Sequence, residues 1–89
     1  MIVHIGSVLY EYTGGRADVE VPLGRGATVG KVLDALEQRY PGLRFRVIDE
    51  QGRVRQHMRL YLGNESVRDL ERAVGARDEL HVLGALSGG

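Results

Sequence analysis

The sequence predicts an α+β domain of two layers, in which one amphipathic helix covers the apolar face of a β-sheet. Three observations favour this fold class: an alternating apolar pattern near the N-terminus, a helical stripe in the middle, and two further alternating segments near the C-terminus. Because an isolated hairpin is only marginally stable in water, the helix must pack on the sheet. A chain of 89 residues fits one domain with little volume for an enclosed active site, so we expect a function at the surface.

The N-terminal part predicts a β-hairpin. Residues 2–12 are rich in β-branched and aromatic side chains, and their apolar positions alternate as in a strand. Gly14-Gly15 marks the turn, and residues 17–21 then alternate strictly between apolar and polar side chains. One face of this hairpin is therefore expected to be buried.

Residues 29–40 predict an amphipathic helix of about three turns. Thr28 is a suitable N-cap, because its hydroxyl can accept a hydrogen bond from the first turn. Pro41 ends the helix, since the residue before a proline is displaced from the helical conformation. Apolar residues recur at spacings of three and four, and polar residues face solvent. The stripe consists of Val29, Val32, Leu33, Leu36 and Tyr40, and the polar face of Lys31, Asp34, Glu37 and Gln38.

The second half of the chain predicts two more strands. Residues 58–62 alternate between apolar and polar side chains and end at a glycine-asparagine turn, and the last strand is predicted over residues 79–83. Residues 43–48 are only loosely apolar, and residues 70–74 are expected to form a short helical turn or an irregular loop.

Composition excludes several classes of function. Acidic and basic residues balance at 12 each, so the chain lacks the long-range field of a non-specific nucleic-acid binder. The absence of cysteine excludes disulfides, thiolate metal sites and a cysteine nucleophile. No apolar run approaches the ~20 residues of a membrane helix, and the first residues lack the pattern of a signal peptide. We expect a cytoplasmic protein without nucleic-acid or membrane partners.

The order of elements, the central stretch "ATVGKVLDALEQRYPGL" and the terminal "SGG" together resemble the MoaD/ThiS family of ubiquitin-like sulfur carriers over essentially the whole chain. This resemblance implies a β-grasp fold, with a mixed sheet packed against one main helix, as one domain over residues 1–89 with a flexible tail at 84–89. The stretches "YTGGRADVEV" and "RQHMRLYLGNESVRDL" are most similar to the branch of the family that serves bacterial cysteine biosynthesis.

The resemblance also implies a chemistry for the C-terminus. The terminal Gly89 would be adenylated by an E1-like adenylating and sulfurtransferase enzyme that uses ATP, and sulfur would then replace the adenylate to give a thiocarboxylate. In the cysteine branch, a cysteine synthase consumes this thiocarboxylate with an activated serine, and a metalloprotease releases cysteine from the carrier. The chain itself would be a co-substrate and no enzyme, and it would bind no cofactor.

A narrow tail suits this chemistry, because the carboxylate must reach deep into the ATP site of another protein. Glycine lacks a Cβ and lets the backbone approach phosphate and metal closely. Many relatives carry proline at the position of Gly84, so glycine there predicts a looser exit from the sheet. The tail expected to enter the partner consists of Gly84, Ala85, Leu86, Ser87, Gly88 and Gly89, with Leu86 as an apolar anchor.

Members of the family dock their partners through the exposed face of the sheet. Here that face is expected to carry Arg59, Tyr61, His81 and Leu83, and tyrosine and arginine are frequent hot-spot residues. A slip of one residue in strand register would invert the assignment.

Other candidate sites receive simpler interpretations. His4, His57 and His81 show no ligand spacing and have no cysteine beside them, so no metal site is predicted. The carboxylates of Asp49 and Glu50 have no nucleophile and base with them, which argues against an active site. Five arginines are interpreted as a solvated strand face, with docking to an acidic partner as the alternative; they are residues 44, 46, 53, 55 and 59.

Several alternatives share the fold and the tail. One is the small subunit of molybdopterin synthase, whose partner is the large subunit, and others are carriers for thiamine synthesis or transfer-RNA thiolation. A different class is a ubiquitin-like protein modifier joined to lysines through Gly89; Lys31 is its only lysine for chain formation. A third class is a plain β-grasp interaction module, which would keep its function without Gly89.

Overall fold

The computed structural model describes residues 1–85, and it contains a sheet of five strands and three helices within them. A 3₁₀ turn at Ser7–Leu9 follows the first strand. The strands are Ile2–Ile5 (β1), Asp18–Glu20 (β2), Met58–Leu62 (β3), Glu65–Val67 (β4) and Glu79–Gly84 (β5). The helices are Tyr10–Thr13 (α1), Val29–Arg39 (α2) and Leu43–Val47 (α3).

The sheet is mixed, with the strand order β2-β1-β5-β3-β4. The N-terminal and C-terminal strands β1 and β5 lie side by side and parallel at its centre, with Val3 opposite Leu80. The other neighbouring pairs are antiparallel. This topology brings residues from the two ends of the chain together on both faces of the sheet.

Helix α2 packs its predicted stripe into the core. Val29, Val32, Leu33 and Leu36 are at most 1% exposed, and Tyr40 packs against the core just beyond the helix end. The Thr28 hydroxyl accepts a hydrogen bond from the Lys31 amide at 3.2 Å, which confirms the predicted N-cap. From the sheet, the alternate residues of β3 and β5 complete this core, and they are Met58, Leu60, Leu62, Leu80 and Val82.

The first strand is shorter than predicted. It ends at Ile5, and the chain then enters the 3₁₀ turn, where the Gly6 carbonyl accepts a hydrogen bond from the Leu9 amide at 3.0 Å. Leu9 is fully buried from this turn, so its apolar character reflects core packing and not strand alternation. The predicted hairpin is otherwise present, because β1 pairs antiparallel with β2 and Val3 faces Val19.

Three short elements were missed by the sequence patterns. The first is α1 at Tyr10–Thr13, which replaces the end of the predicted first strand. The loosely apolar segment at 43–48 contains α3, whose entry is stabilised by Glu37. The two Glu37 carboxylate oxygens accept the amides of Gly42 and Arg44, each at 2.9 Å. The prediction that Glu37 only faces solvent is therefore incomplete. Strand β4 pairs with β3 directly after the predicted turn, with Ser66 opposite Tyr61.

Residues 70–74 are irregular, which is one of the two predicted outcomes. They lie over the start of α2, where the carbonyls of Leu70 and Arg72 accept the amides of Gly30 and Val29 at 2.8 and 2.9 Å. Among the described residues, no helix is both long enough and apolar enough to cross a membrane.

Candidate docking face and tail root

The four predicted docking residues lie together on the face of the sheet that points away from the core, here called the outer face. Arg59 is directly opposite Leu83, and Tyr61 is opposite His81, in the β3–β5 pair. All four side chains are half-buried, whereas their neighbours Leu60 and Val82 are at most 1% exposed. The register on which the assignment depends is therefore the one expected.

The chain leaves the sheet beside this face. We call Gly84 and Ala85 the tail root, because they are the last residues described before the predicted tail. The Ala85 amide donates to the His57 carbonyl at 2.8 Å, so the backbone is held in place one residue beyond β5. Shallow grooves flank the tail root: one is lined by Val8 and His57, and the other by Arg59 and Tyr61. Leu86, Ser87, Gly88 and Gly89 lie outside the described residues.

Gly84 was predicted to begin the tail. In the structure it instead ends β5, opposite Met58. A Cβ at this position would lie 2.9 Å from Cγ1 of Val8, closer than carbon atoms approach without a shift. Glycine at 84 therefore permits the 3₁₀ turn to pack tightly against the end of β5. Gly84 therefore belongs to the strand, and the looser exit from the sheet stays a prediction.

A histidine cluster occupies the middle of the outer face. His4 lies opposite His81 in the parallel β1–β5 pair, and their rings stack with centroids 4.6 Å apart. His4 Nδ1 is 2.7 Å from Asp18 Oδ1, and its Nε2 is 2.5 Å from Glu79 Oε1. The hydrogen bond with Glu79, followed by that with Asp18, raises the pKa of His4 above its ordinary value. Sequence spacing showed no such cluster, because β1 and β5 meet only in the folded chain.

The sequence model of the ThiS family matches residues 3–89. This chain belongs to the ThiS family. The predicted resemblance to MoaD/ThiS proteins is thereby confirmed, and the match includes the tail residues beyond the tail root.

Relatives of this ThiS family member match it over nearly its whole length. Sulfur carrier protein CysO of Mycobacterium tuberculosis is 32% identical in an alignment 92 residues long. The alignment covers 98% of this chain and 96% of CysO. Small archaeal modifier protein 1 of Haloferax volcanii is 38% identical over 81 residues, which cover 91% of each chain.

The fold is also shared with a solved structure. A chain in the crystal structure of the Amycolatopsis orientalis BexX/CysO complex matches with a TM-score of 0.86 and 33% identity, over 99% of this chain and 98% of that one. Together with the mixed five-stranded sheet and its packed helix, this confirms the predicted ubiquitin-like β-grasp fold.

The five arginines at residues 44, 46, 53, 55 and 59 do not form one strand face. The interpretation of these residues as a solvated strand face is therefore wrong. Arg44 and Arg46 lie on α3, and only Arg59 lies in a strand. Several are held by local contacts: Arg44 pairs with Asp34 at 2.8 Å, and the Arg55 guanidinium lies 4.5 Å from the centre of the Phe45 ring. Arg59 Nη1 donates to two backbone carbonyls close to its own position.

The Asp49 side chain stabilises a turn by accepting hydrogen bonds from two backbone amides. Its Oδ1 accepts the backbone amides of Gln51 and Arg53, both at 2.9 Å, and so closes the turn after α3. The hydrogen bond from the Arg53 amide contributes most to lowering the pKa of Asp49 below its ordinary value. This carboxylate therefore stabilises a loop.

Proposed function

We propose that this chain is a sulfur carrier that delivers sulfur from a thiocarboxylate at Gly89. The observation that carries this proposal is the family match over residues 3–89, which extends to the final Gly88-Gly89 pair. The CysO relatives, which are sulfur carrier proteins, support it over 98% of the chain.

The proposed activation has two steps. A carboxylate oxygen of Gly89 attacks the α-phosphorus of ATP in an E1-like enzyme, and pyrophosphate leaves. Sulfur, formally as hydrosulfide, then attacks the acyl carbon and AMP leaves, so that the product is a thiocarboxylate. This chain supplies no catalytic group to either step. Its contribution is to hold the tail in the enzyme, with ATP bound by the enzyme and not by the carrier.

The arrangement of the outer face supports docking to such enzymes. Arg59, Tyr61 and Leu83 share a groove with the tail root, and His81 lies opposite Tyr61. A partner that covers these residues would receive the tail as it leaves β5. The hydrogen bond from the Ala85 amide to the His57 carbonyl fixes where the tail starts, and ordering this point in advance reduces the entropy lost on binding. The presence of a CysO protein in the BexX/CysO complex supports a partner-docking role.

We propose that the sulfur is used in cysteine biosynthesis, as the sequence resemblance implies. A cysteine synthase would take sulfur from Gly89, and a metalloprotease would release cysteine. CysO relatives support this branch through their identity of 32%. Transfer to the large subunit of molybdopterin synthase, or to thiamine or transfer-RNA thiolation, is the alternative within the family.

A second candidate function is protein modification. It is favoured by the 38% identity with small archaeal modifier protein 1. In this case the activated carbonyl of Gly89 would be attacked by a lysine of a target protein, with formation of an isopeptide bond and loss of AMP. Lys31 is the only lysine of the chain, and its ammonium group donates to the Gly26 carbonyl at 3.2 Å. Single attachment is therefore expected in preference to chains.

Intact-mass spectrometry of the protein from its native cells tests both candidates. A sulfur carrier should show a fraction in which one oxygen is replaced by one sulfur, located at Gly89 by sequencing the terminal peptide. A modifier should instead give tryptic peptides of other proteins that carry residues 78–89 on a lysine, because trypsin cuts this chain last after Arg77. An unmodified terminus under sulfur-replete and sulfur-limited growth, without such adducts, would contradict both.

A further inference from the structure

The histidine cluster has the layout of a metal site on a β-sheet. His81 and Glu79 are two residues apart on β5, so their side chains project from the same face of the sheet. His4 lies directly opposite His81 on the adjacent strand. The cluster therefore has two imidazoles and one carboxylate, on the two central strands of the domain.

The distances bring the three groups within reach of one ion. One ligand atom from each of His4, Glu79 and His81 lies within 4.8 Å of the other two. Zinc binds imidazole nitrogen and carboxylate oxygen at about 2.0–2.2 Å, so the stacked imidazoles and the carboxylate would have to turn toward a common point to complete the coordination. The His4 and Glu79 side chains are 31% and 57% exposed, which leaves them room to rotate and gives an ion access from solvent.

The charges of the cluster favour a cation. Both ring nitrogens of His4 face carboxylate oxygens, of Asp18 and of Glu79. A neutral imidazole has one N–H and can donate to only one of them. The other contact requires a positive charge beside the carboxylate, which either a second ring proton or a metal ion can supply. Within residues 1–85, neither carboxylate is paired with an arginine or a lysine.

Asp18 contacts Nδ1 of His4, the ring nitrogen that does not face Glu79. When His4 donates its Nδ1 hydrogen to Asp18, the Nε2 lone pair is directed toward Glu79. A carboxylate that orients a histidine ligand in this way is a common feature of zinc sites. We propose that His4, Glu79 and His81 bind a divalent transition-metal ion such as Zn²⁺ on the outer face, with Asp18 as the positioning residue for His4. Three protein ligands leave one tetrahedral position open to water or to a group from another molecule.

Titration of the untagged full-length chain with Zn²⁺, followed by calorimetry at neutral pH, tests this proposal. We expect one ion per chain in the wild type. His4→Gln and His81→Gln should each abolish the site, and Asp18→Asn should weaken binding by about tenfold. The matched control is His57→Gln, because His57 is an exposed histidine outside the cluster, hydrogen-bonded to Arg46. This variant should bind as the wild type does.

Nuclear magnetic resonance of the histidine rings provides the second measurement. Zn²⁺ should shift the ring nitrogens of His4 and His81 together and leave those of His57 in place, and the amide spectra of the variants should show that they remain folded. The proposal is overturned if the wild type fails to bind, if His4→Gln binds with unchanged affinity, or if His57→Gln is the variant that loses the ion. None of these measurements depends on sulfur transfer.

Discussion

The two faces of the sheet use the same strands for different purposes. On β5, Leu80 and Val82 are fully buried against the helix layer, whereas Glu79, His81 and Leu83 project from the outer face. The inner face is entirely apolar at these positions, and the outer face carries charge, imidazole and one aliphatic side chain. Because successive residues of a strand alternate between faces, core packing and the proposed partner recognition are separated by a single step along the chain.

Substitution of an inner-face residue gives the largest expected effect. Leu60 is 1% exposed, and Leu60→Ala should lower the free energy of unfolding by about 2–5 kcal/mol through lost burial and a cavity. The matched outer-face variant is Arg59→Ala, one residue away. It loses two hydrogen bonds to carbonyls and should lower the free energy of unfolding by about 1 kcal/mol. Equal losses in urea denaturation would contradict the separation of the two faces.

The tail root offers a second test, at the point where the end of β5 meets the 3₁₀ turn. Gly84→Ala places a methyl group 2.9 Å from Val8 Cγ1 and should cost about 1–3 kcal/mol of unfolding free energy. In a Val8→Ala background the same change should cost less. Effects of alanine on the unfolded chain cancel in this double-mutant cycle. A coupling energy of zero in urea denaturation would show that this contact does not explain the glycine.

Partner binding should respond to the outer face alone. Tyr61→Ala should weaken binding to the activating enzyme by about 1 kcal/mol or more, because half-buried tyrosines at the centre of an interface are common hot spots. Gln38→Ala lies on the exposed side of α2 and should leave affinity unchanged. Surface plasmon resonance with the activating enzyme measures both. A larger loss of affinity in Gln38→Ala than in Tyr61→Ala would show that the partner binds the helix layer instead.

The smallest effect concerns a carboxylate of the helix layer. Hydrogen bonds from the amides of Gly42, first, and Arg44 lower the pKa of Glu37 below its ordinary value of 4.5. Since the folded-state pKa is lower than the unfolded one, Glu37 stabilises the fold above pH 4.5, and this contribution is lost as pH falls through the folded-state pKa. Glu37→Gln should therefore be less stable than the wild type at neutral pH, and the difference should shrink on acidification.

Thermal unfolding at a series of pH values measures this difference. The matched control is Glu50→Gln, which removes the same charge from an exposed residue whose carboxylate accepts no hydrogen bond among the described residues. A gap between wild type and Glu37→Gln that persists unchanged at low pH would contradict the capping role.

Much of the fold was predictable because its main elements have strong periodicity. The stripe of α2, its Thr28 cap and the alternation around Leu60 each identify a buried face without knowledge of the tertiary structure. Strand β4 was missed because three residues, Glu65–Val67, are too short to show a period. Helix α3 was missed because its entry depends on Glu37, a residue from the preceding helix.

The candidate site was predictable only in part, for a related reason. The register of β3 placed Arg59 and Tyr61 on the outer face, because the pattern within one strand is local. The contact of His4 with His81 joins residues 77 positions apart, and no local pattern encodes which strands become neighbours. The close packing of Val8 against Gly84 has the same origin.

The most direct test of the central claim is the ATP–pyrophosphate exchange catalysed by the E1-like enzyme of the source organism, with the intact chain and with a chain that lacks Gly89. We expect exchange with the intact chain and none above background without Gly89, while the free energy of unfolding is the same for both chains. Equal exchange with both chains would contradict the claim that the terminal carboxylate of Gly89 is the group that the enzyme adenylates.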